Sequence, residues 1–509
     1  MLRLRRAAQP PSLLPAPLGR RRRSLARTRV AAVVVALALA AGLAPSLRAP
    51  SMVRAEEVAA ASFFGTSPAV TAAVPLVAPA VADSAPLASS AVAAPVPLAL
   101  PAASAAPAPA VAPGSPHPVL AVSLPRAEDP SPSPTPTPSR PPATGTLTPE
   151  LSAALTKRLG ELRVFYAIPG IEATIVFADG RSWRAHSGFQ DYSARTPVQN
   201  ATPFPVASVT KTFMAALVVQ LAQEGRFGLD DRLVRYLPGA NVNPAVTVRQ
   251  LLDHTSGIAD FFSNSEIDTA ILDCRTCVWT PAKSLSYVGK QLFAPGTRWS
   301  YSNTNYLLLG QLVEAVTGDT CVDLLRTRFF TPLGLISTFV QGKEPAPYPV
   351  VHSYRFWTSS RSEKPTGLWD GTGVSPFRSL ATAAGSAGDI ASSARDLAVW
   401  ARALYAGGVL GAAGSKAMLD FDATMLLRAS IPYGLGVERF TVAGRVAFGH
   451  GGRLLGARSA MRYLPAEGMS IAVVINTDRG NPAAIANALA EIALPPLVPS
   501  TPSSVAAIP

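Results

Sequence analysis

Ser208 stands three residues ahead of Lys211 in Ala207-Ser208-Val209-Thr210-Lys211, a spacing that puts a hydroxyl and an amine on one face of a helix. A serine hydroxyl is a weak nucleophile and needs a positioned base. A lysine serves as that base once burial or neighbouring cations depress its pKa. The run that follows, Thr212 to Gln223, is apolar enough to form a buried helix. Ser208 then falls at a helix N-terminus, where developing negative charge is favoured. Alone, S-x-x-K also describes a capping serine beside a surface lysine, yet this is the only such pattern in the chain.

A second cluster, Trp299-Ser300-Tyr301-Ser302-Asn303, follows Pro295-Gly296 and holds the only Y-x-N. A phenol near cations relays a proton, and an asparagine amide orients a substrate carbonyl or holds the lysine. The bland alternative is a loop tyrosine with a turn asparagine. The third cluster is Gly449-His450-Gly451-Gly452. Its glycines permit close approach of a substrate backbone. His450 could act there as a general acid or a hydrogen-bond donor at the edge of a cleft. His186 and His352 are isolated and read as packing residues. No spacing suits a metal, and no glycine loop is built to cradle phosphate, so neither cofactor nor metal is expected.

The elements that must position these groups can be read from periodicity. Thr148 to Leu162 is helical, with Thr148-Pro149 as cap and first-turn proline. Ile171 to Phe177 and Trp183 to His186 read as strands around an Ala178-Asp179-Gly180 turn, as do Arg458 to Leu464 and Met469 to Asn476. The third cluster comes just before the first of these C-terminal strands. A last helix runs from Asn481-Pro482 to about Leu494, and helical periodicity dominates residues 209–430. The expected class is α/β (α+β): one antiparallel sheet built from both ends of the domain and flanked by helices. A mainly helical lobe is inserted, with a cleft beside it.

Residues 146–495 form this domain. Residues 56–145 alternate Ala, Pro, Ser and Val and end in SPSPTPTPSRPP, which reads as an extended disordered linker. Residues 496–509 read as a disordered tail. Residues 1–55 combine a basic run (Arg20 to Arg23) with an apolar stretch from Val30 to Ala44, an export signal or an N-terminal anchor that could tether the protein to a membrane. Of the formal net charge of +13, nearly all lies in this leader, so the basic balance does not point to nucleic acid. The expected location is therefore periplasmic, envelope-associated or secreted. In that setting Cys274 and Cys277 read as a local disulfide and Cys321, in an apolar helical stretch, as a buried thiol.

The ordered combination of S-x-x-K, Y-x-N and H-x-G resembles the serine β-lactamase and penicillin-binding protein superfamily. It is most similar to the class C-like branch with D-alanyl-D-alanine carboxypeptidases and related esterases. Thr247 to Gly257 (TVRQLLDHTSG), Pro295 to Gly310, Pro332-Leu333-Gly334 and Tyr433-Gly434-Leu435-Gly436 agree with it. The resemblance spans roughly residues 148–492 and implies a β-lactamase/transpeptidase-like fold. It implies that Ser208 is the acylated nucleophile, that Lys211 and Tyr301 move its proton, and that Asn303 supports the substrate amide. The backbone N–H groups of Ser208 and Arg453 would form the oxyanion hole. His254, within the family's DHTSG-like turn, is implied to be structural. His450 and Gly452 stand where lactamases of this branch carry Lys-Thr-Gly, and His-x-Gly is similar to the carboxypeptidase and D-aminopeptidase side. A neutral His binds a carboxylate less well than Lys, a deficit that Arg453 could make good. The expected substrate is a small molecule or cell-wall peptide. The alternatives are an esterase or D-aminopeptidase on the same fold, or a non-catalytic penicillin- or peptidoglycan-binding module.

Overall fold

The computed structural model describes residues 147–496, apart from 359, 361, 362, 428 and 430. The expected leader, the linker and all but the first residue of the tail lie outside the described residues. Helix α1 (Pro149–Phe165) starts where the sequence places it, with Thr148 Oγ1 accepting from the Leu151 amide and proline in the first turn. It leads into β1 (Gly170–Val176), β2 (Ser182–Asp191) and the short β3 (Thr196–Pro197). The remaining strands of the large sheet come from the other end: β9 (Glu438–Val442), β10 (Arg445–Leu454), β11 (Ala457–Leu464) and β12 (Met469–Ile475). The order is β3-β2-β1-β12-β11-β10-β9, antiparallel throughout, so the two ends of the domain meet at the β1–β12 pair.

Both faces of the central strands are buried, and residue alternation decides what each face meets. Ile171, Ala173 and Ile175 of β1, with Ile471, Val473 and Ile475 of β12, pack against Leu155 and Leu159 of α1 and Ile485 and Leu489 of the last helix. Ala472 and Val474 face the helical lobe. Within that lobe, α2 (Thr210–Gln223) is buried almost all round, as its apolar composition requires. Phe213 stacks on Trp400 at 4.1 Å, and the Trp400 indole donates to Thr212 Oγ1 at 2.9 Å. Helix α3 (Asn303–Thr317) packs beside α2.

Two details differ from the sequence reading. The second strand is longer than expected, reaching Asp191. His450 lies inside a ten-residue strand rather than ahead of one. Gly449, Gly451 and Gly452 lower the strand propensity of this stretch, and its pairing with β11 overrides that preference. The lobe also holds a small antiparallel sheet, β4 (Phe204–Pro205), β8 (Ile390–Ser392) and β5 (Phe339–Val340), whose strands are too short to leave a period. Among the described residues no helix is long and apolar enough to cross a membrane, and no cluster could hold a metal. Cys274 and Cys277 form a disulfide, and Cys321 is a buried free thiol.

Candidate active site

Ser208 is presented by a sharp backbone reversal. Ala207 adopts φ +50°, a left-handed conformation unusual for a residue with a Cβ, and opens the 3₁₀ turn Ala207–Val209 that runs into α2. Ser208 is left partly exposed, between buried Ala207 and Val209. Its amide belongs to the first turn, whose N–H groups have no partner within the helix.

Strand β10 lies against this turn. A Cβ on Gly452 would stand 2.1 Å from the Val206 carbonyl oxygen, whereas one on Gly451 would meet open space. Gly452 therefore admits the backbone leading to Ser208, and Gly451 is the glycine with room beside it. Ser459 of β11 fixes the same carbonyl by donating its hydroxyl at 2.8 Å.

Lys211 is fully buried one helical turn from Ser208. Its Nζ lies 3.1 Å from Ser208 Oγ, 2.7 Å from Asn303 Oδ1 and 2.8 Å from the Ala387 carbonyl oxygen. Burial lowers its pKa to about 7, against the pull of Asp260 and Glu438. Asn303 sits at the start of α3, and its Nδ2 donates to Asp260 Oδ2 at 2.8 Å. A carboxylate only accepts, so this contact turns the amide oxygen toward the lysine.

Tyr301 presents its ring to the amine, with Lys211 Nζ 5.0 Å from the ring centroid. Its hydroxyl is buried without a hydrogen-bond partner among the described residues. Burial pushes the phenol well above its ordinary pKa, while the nearby Ser208 hydroxyl pulls the other way. Tyr301 is therefore protonated at neutral pH.

The turn at Asp253–Gly257 braces this tyrosine. His254 accepts the Ser302 amide at Nδ1 (3.2 Å), its carbonyl accepts the Ser300 amide, and its ring lies 4.3 Å from that of Tyr301. Burial holds His254 neutral, which suits a bracing part.

His450 does not stand at a cleft edge. The residue is 1% exposed, with Nδ1 donating to the Gly451 carbonyl at 2.5 Å and Nε2 accepting from the Tyr433 hydroxyl at 2.9 Å. Burial and the Lys211 charge press its pKa down to about 3, so it carries no charge at neutral pH. Arg453 is exposed on the same strand, paired with Arg458 across the ladder, and its charge acts on Asp478.

Sequence reasoning missed Asp260, Glu438, Tyr433 and the Ala387 carbonyl. Tyr433 had a signal in its Gly-Leu-Gly company, whereas the others had none. Elsewhere, His352 stacks on Trp369 at 4.2 Å, approaches Asp191 at 3.5 Å and lines a cavity of about 400 Å³ with Tyr348. His186 is exposed on β2.

Known proteins resemble this chain in sequence and in fold. "Penicillin-binding protein 4" of Amycolatopsis lactamdurans is 31% identical over 337 residues, 63% of this chain and 84% of that protein. A D-aminopeptidase of Brucella anthropi is 30% identical over 62% of this chain, which spans only 57% of that protein. Among solved structures, a D-stereospecific amidohydrolase from Streptomyces sp. superposes with a TM-score of 0.56 at 29% identity, covering 66% of this chain and 97% of that one. A D-amino acid amidase from Ochrobactrum anthropi gives a TM-score of 0.56 at 25% identity, covering 68% and 96%. Residues 155–494 match the Beta-lactamase family, and with that match over most of the chain the protein belongs to this family of β-lactamase-fold serine hydrolases.

Proposed function

We propose that the protein is an exported hydrolase that opens amide bonds of D-amino-acid substrates through an acyl-enzyme on Ser208. The observation that carries this reading is the placement of Lys211 Nζ between Ser208 Oγ and two carbonyl-type oxygens. A neutral amine has two hydrogens and one lone pair. Asn303 Oδ1 and the Ala387 carbonyl take the hydrogens, so the lone pair has one remaining direction, toward the serine hydroxyl. With a pKa of about 7, a large share of Lys211 is neutral at physiological pH.

The steps follow from these positions. Lys211 takes the Ser208 proton as Oγ bonds to the substrate carbonyl carbon. The carbonyl oxygen gains the negative charge and sits among the Ser208 and Arg453 amides. The C–N bond then breaks. Tyr301, protonated at rest, gives the leaving nitrogen its proton and recovers one from the Lys211 ammonium. Water attacks the ester by the same route in reverse and releases the acid.

Two observations favour an amide over a carboxylate-bearing lactam. His450 is neutral and both its nitrogens are engaged, so the third motif supplies no cation. Similar proteins carry the names D-aminopeptidase, D-stereospecific amidohydrolase and D-amino acid amidase. A D-alanyl-D-alanine carboxypeptidase reading rests on Arg453, the exposed cation three residues beyond His450. The basic leader with its apolar run and the Cys274–Cys277 disulfide support a place outside the cytoplasm.

The deciding experiment is a panel of D-amino-acid amides, D-alanyl-D-alanine peptides, cephalosporins and short esters, run beside Ser208→Ala. Turnover is expected on D-amides and lost in the variant. If neither penicillins nor activated esters or organophosphates acylate Ser208, the hydrolase reading falls and a binding module takes its place. Arg453→Ala should weaken carboxylate-bearing peptides selectively; equal rates on them would remove the carboxypeptidase reading.

A further inference from the structure

The Ala387 carbonyl that orients Lys211 is held from a distance. It ends the turn Gly385–Ala387, which continues directly from α4 (Arg378–Ala384). Its N-cap residue, Phe377, makes no capping bond. The Arg378 amide donates to Asp370 Oδ2 at 2.8 Å, and the next residue is tied to the loop around the disulfide. The Ser379 amide donates to the Arg275 carbonyl at 2.8 Å, and the Ser379 hydroxyl donates to the Ile271 carbonyl at 2.8 Å. The Arg275 guanidinium lies 5.3 Å over the Phe377 ring. Further along, the Trp279 amide donates to Thr382 Oγ1 at 2.9 Å, and the Ser284 hydroxyl donates to the Ala383 carbonyl at 3.0 Å. Segment 271–284 thus grips α4 at both ends, and the disulfide closes the loop at its centre. Arg275 and Thr276, between the two cysteines, are exposed, and the cysteines themselves are partly so.

We propose that the Cys274–Cys277 disulfide loop is a positioning element for the catalytic lysine, acting through α4 on the Ala387 carbonyl, and that its reduction lowers activity. This rests on Lys211 being the base. Reduction by an external dithiol breaks one S–S bond, leaves two protein thiols and converts the reductant to its own disulfide. The freed loop gains backbone states and loosens its hold on Ser379. A displaced Ala387 oxygen removes one acceptor from the amine, so the lone pair no longer has a single direction. A misplacement of about 1 Å near a reacting centre costs on the order of a hundredfold in rate. Losing that acceptor also disfavours the ammonium more than the amine.

The experiment uses the full chain, oxidised, reduced with excess dithiol, and as Cys274→Ser/Cys277→Ser. Far-UV circular dichroism checks the fold, and a fluorescent acylating probe counts active sites. The expected result per active site is a kcat at least about tenfold lower, with the acid limb of the pH profile moved to lower pH. Reoxidation should restore both in the wild type. Ser379→Ala keeps the disulfide and should shift both quantities the same way by less. An oxidised enzyme that turns over through Ser208, with kcat and limb unchanged on reduction and in the double variant, overturns the positioning role while leaving the base assignment intact. Loss of active sites with an unmoved limb in the survivors also overturns it, since that marks a purely structural disulfide. An oxidised enzyme whose activity ignores Lys211→Ala removes the base assignment instead.

Discussion

At the level of single residues, the site turns on which groups carry a proton at rest. Lys211 sits near 7 because it is desolvated, so kcat/KM should rise about tenfold per pH unit below 7 and level off above it. His450, held neutral down to about 3, should add no limb between pH 5 and 9. A pH–rate profile on one neutral amide substrate reads both. Tyr301→Phe removes the acid while keeping the ring that Lys211 faces, so kcat should fall by about 10² to 10⁴ with KM little changed. Ser208, Lys211, Tyr301 and Asn303 were legible because each pair shares a turn of chain, and such spacing fixes relative position before the fold is known. Asp260 and Glu438 act on Lys211 from segments remote in sequence, and spacing carries no trace of that. Ala387 contributes a backbone oxygen, which no side-chain pattern can reveal. His450 was legible as a member of its motif but not as a buried group, because three glycines around it hid the strand.

Among the elements, the meeting of β10 with the Ala207–Val209 turn sets the geometry around Ser208. Gly452→Ala places a methyl against the Val206 carbonyl, and the strand or the turn must give way. It should destabilise the protein by at least about 2 kcal/mol and lower kcat, as urea unfolding and rates would show. Gly451→Ala faces open space and should cost less than about 1 kcal/mol, with any effect falling on KM. The contrast separates a glycine required by the fold from one beside which a substrate has room. Helix α2 and the strands β1, β11 and β12 were readable as apolar runs bounded by turn residues, and α1 from its Thr148-Pro149 start. The two- and three-residue strands β4, β5 and β8 are fixed by tertiary pairing, and a period needs more length than they have.

At the scale of the molecule, the sheet carries one buried acid at its centre. Glu172 is fully buried on β1, where its Oε2 accepts the Ala394 amide at 3.0 Å at the start of the helix Ala394–Tyr405. Desolvation raises its pKa to about 8. Its folded pKa exceeds its unfolded one, so its contribution is fully present below about pH 4.5 and is lost as pH rises through 8. The urea midpoint of Glu172→Gln, which keeps an acceptor for Ala394, should therefore gain on that of the wild type as pH rises from 5 to 8, and a difference that does not change with pH would refute the linkage. The same strand has a consequence in time. The Gly170 amide donates to Asn476 Oδ1 at 2.6 Å, across 306 positions of sequence. A ribosome adding about 5 to 20 residues per second takes roughly 15 to 60 s to deliver β12 after β1 emerges. Throughout that interval β1 lacks one of its two ladder partners, and the nucleophile turn lacks the strand that shapes it. A nascent chain therefore cannot form an acyl-enzyme until its last strands arrive, and the reactive site is completed only near the end of synthesis.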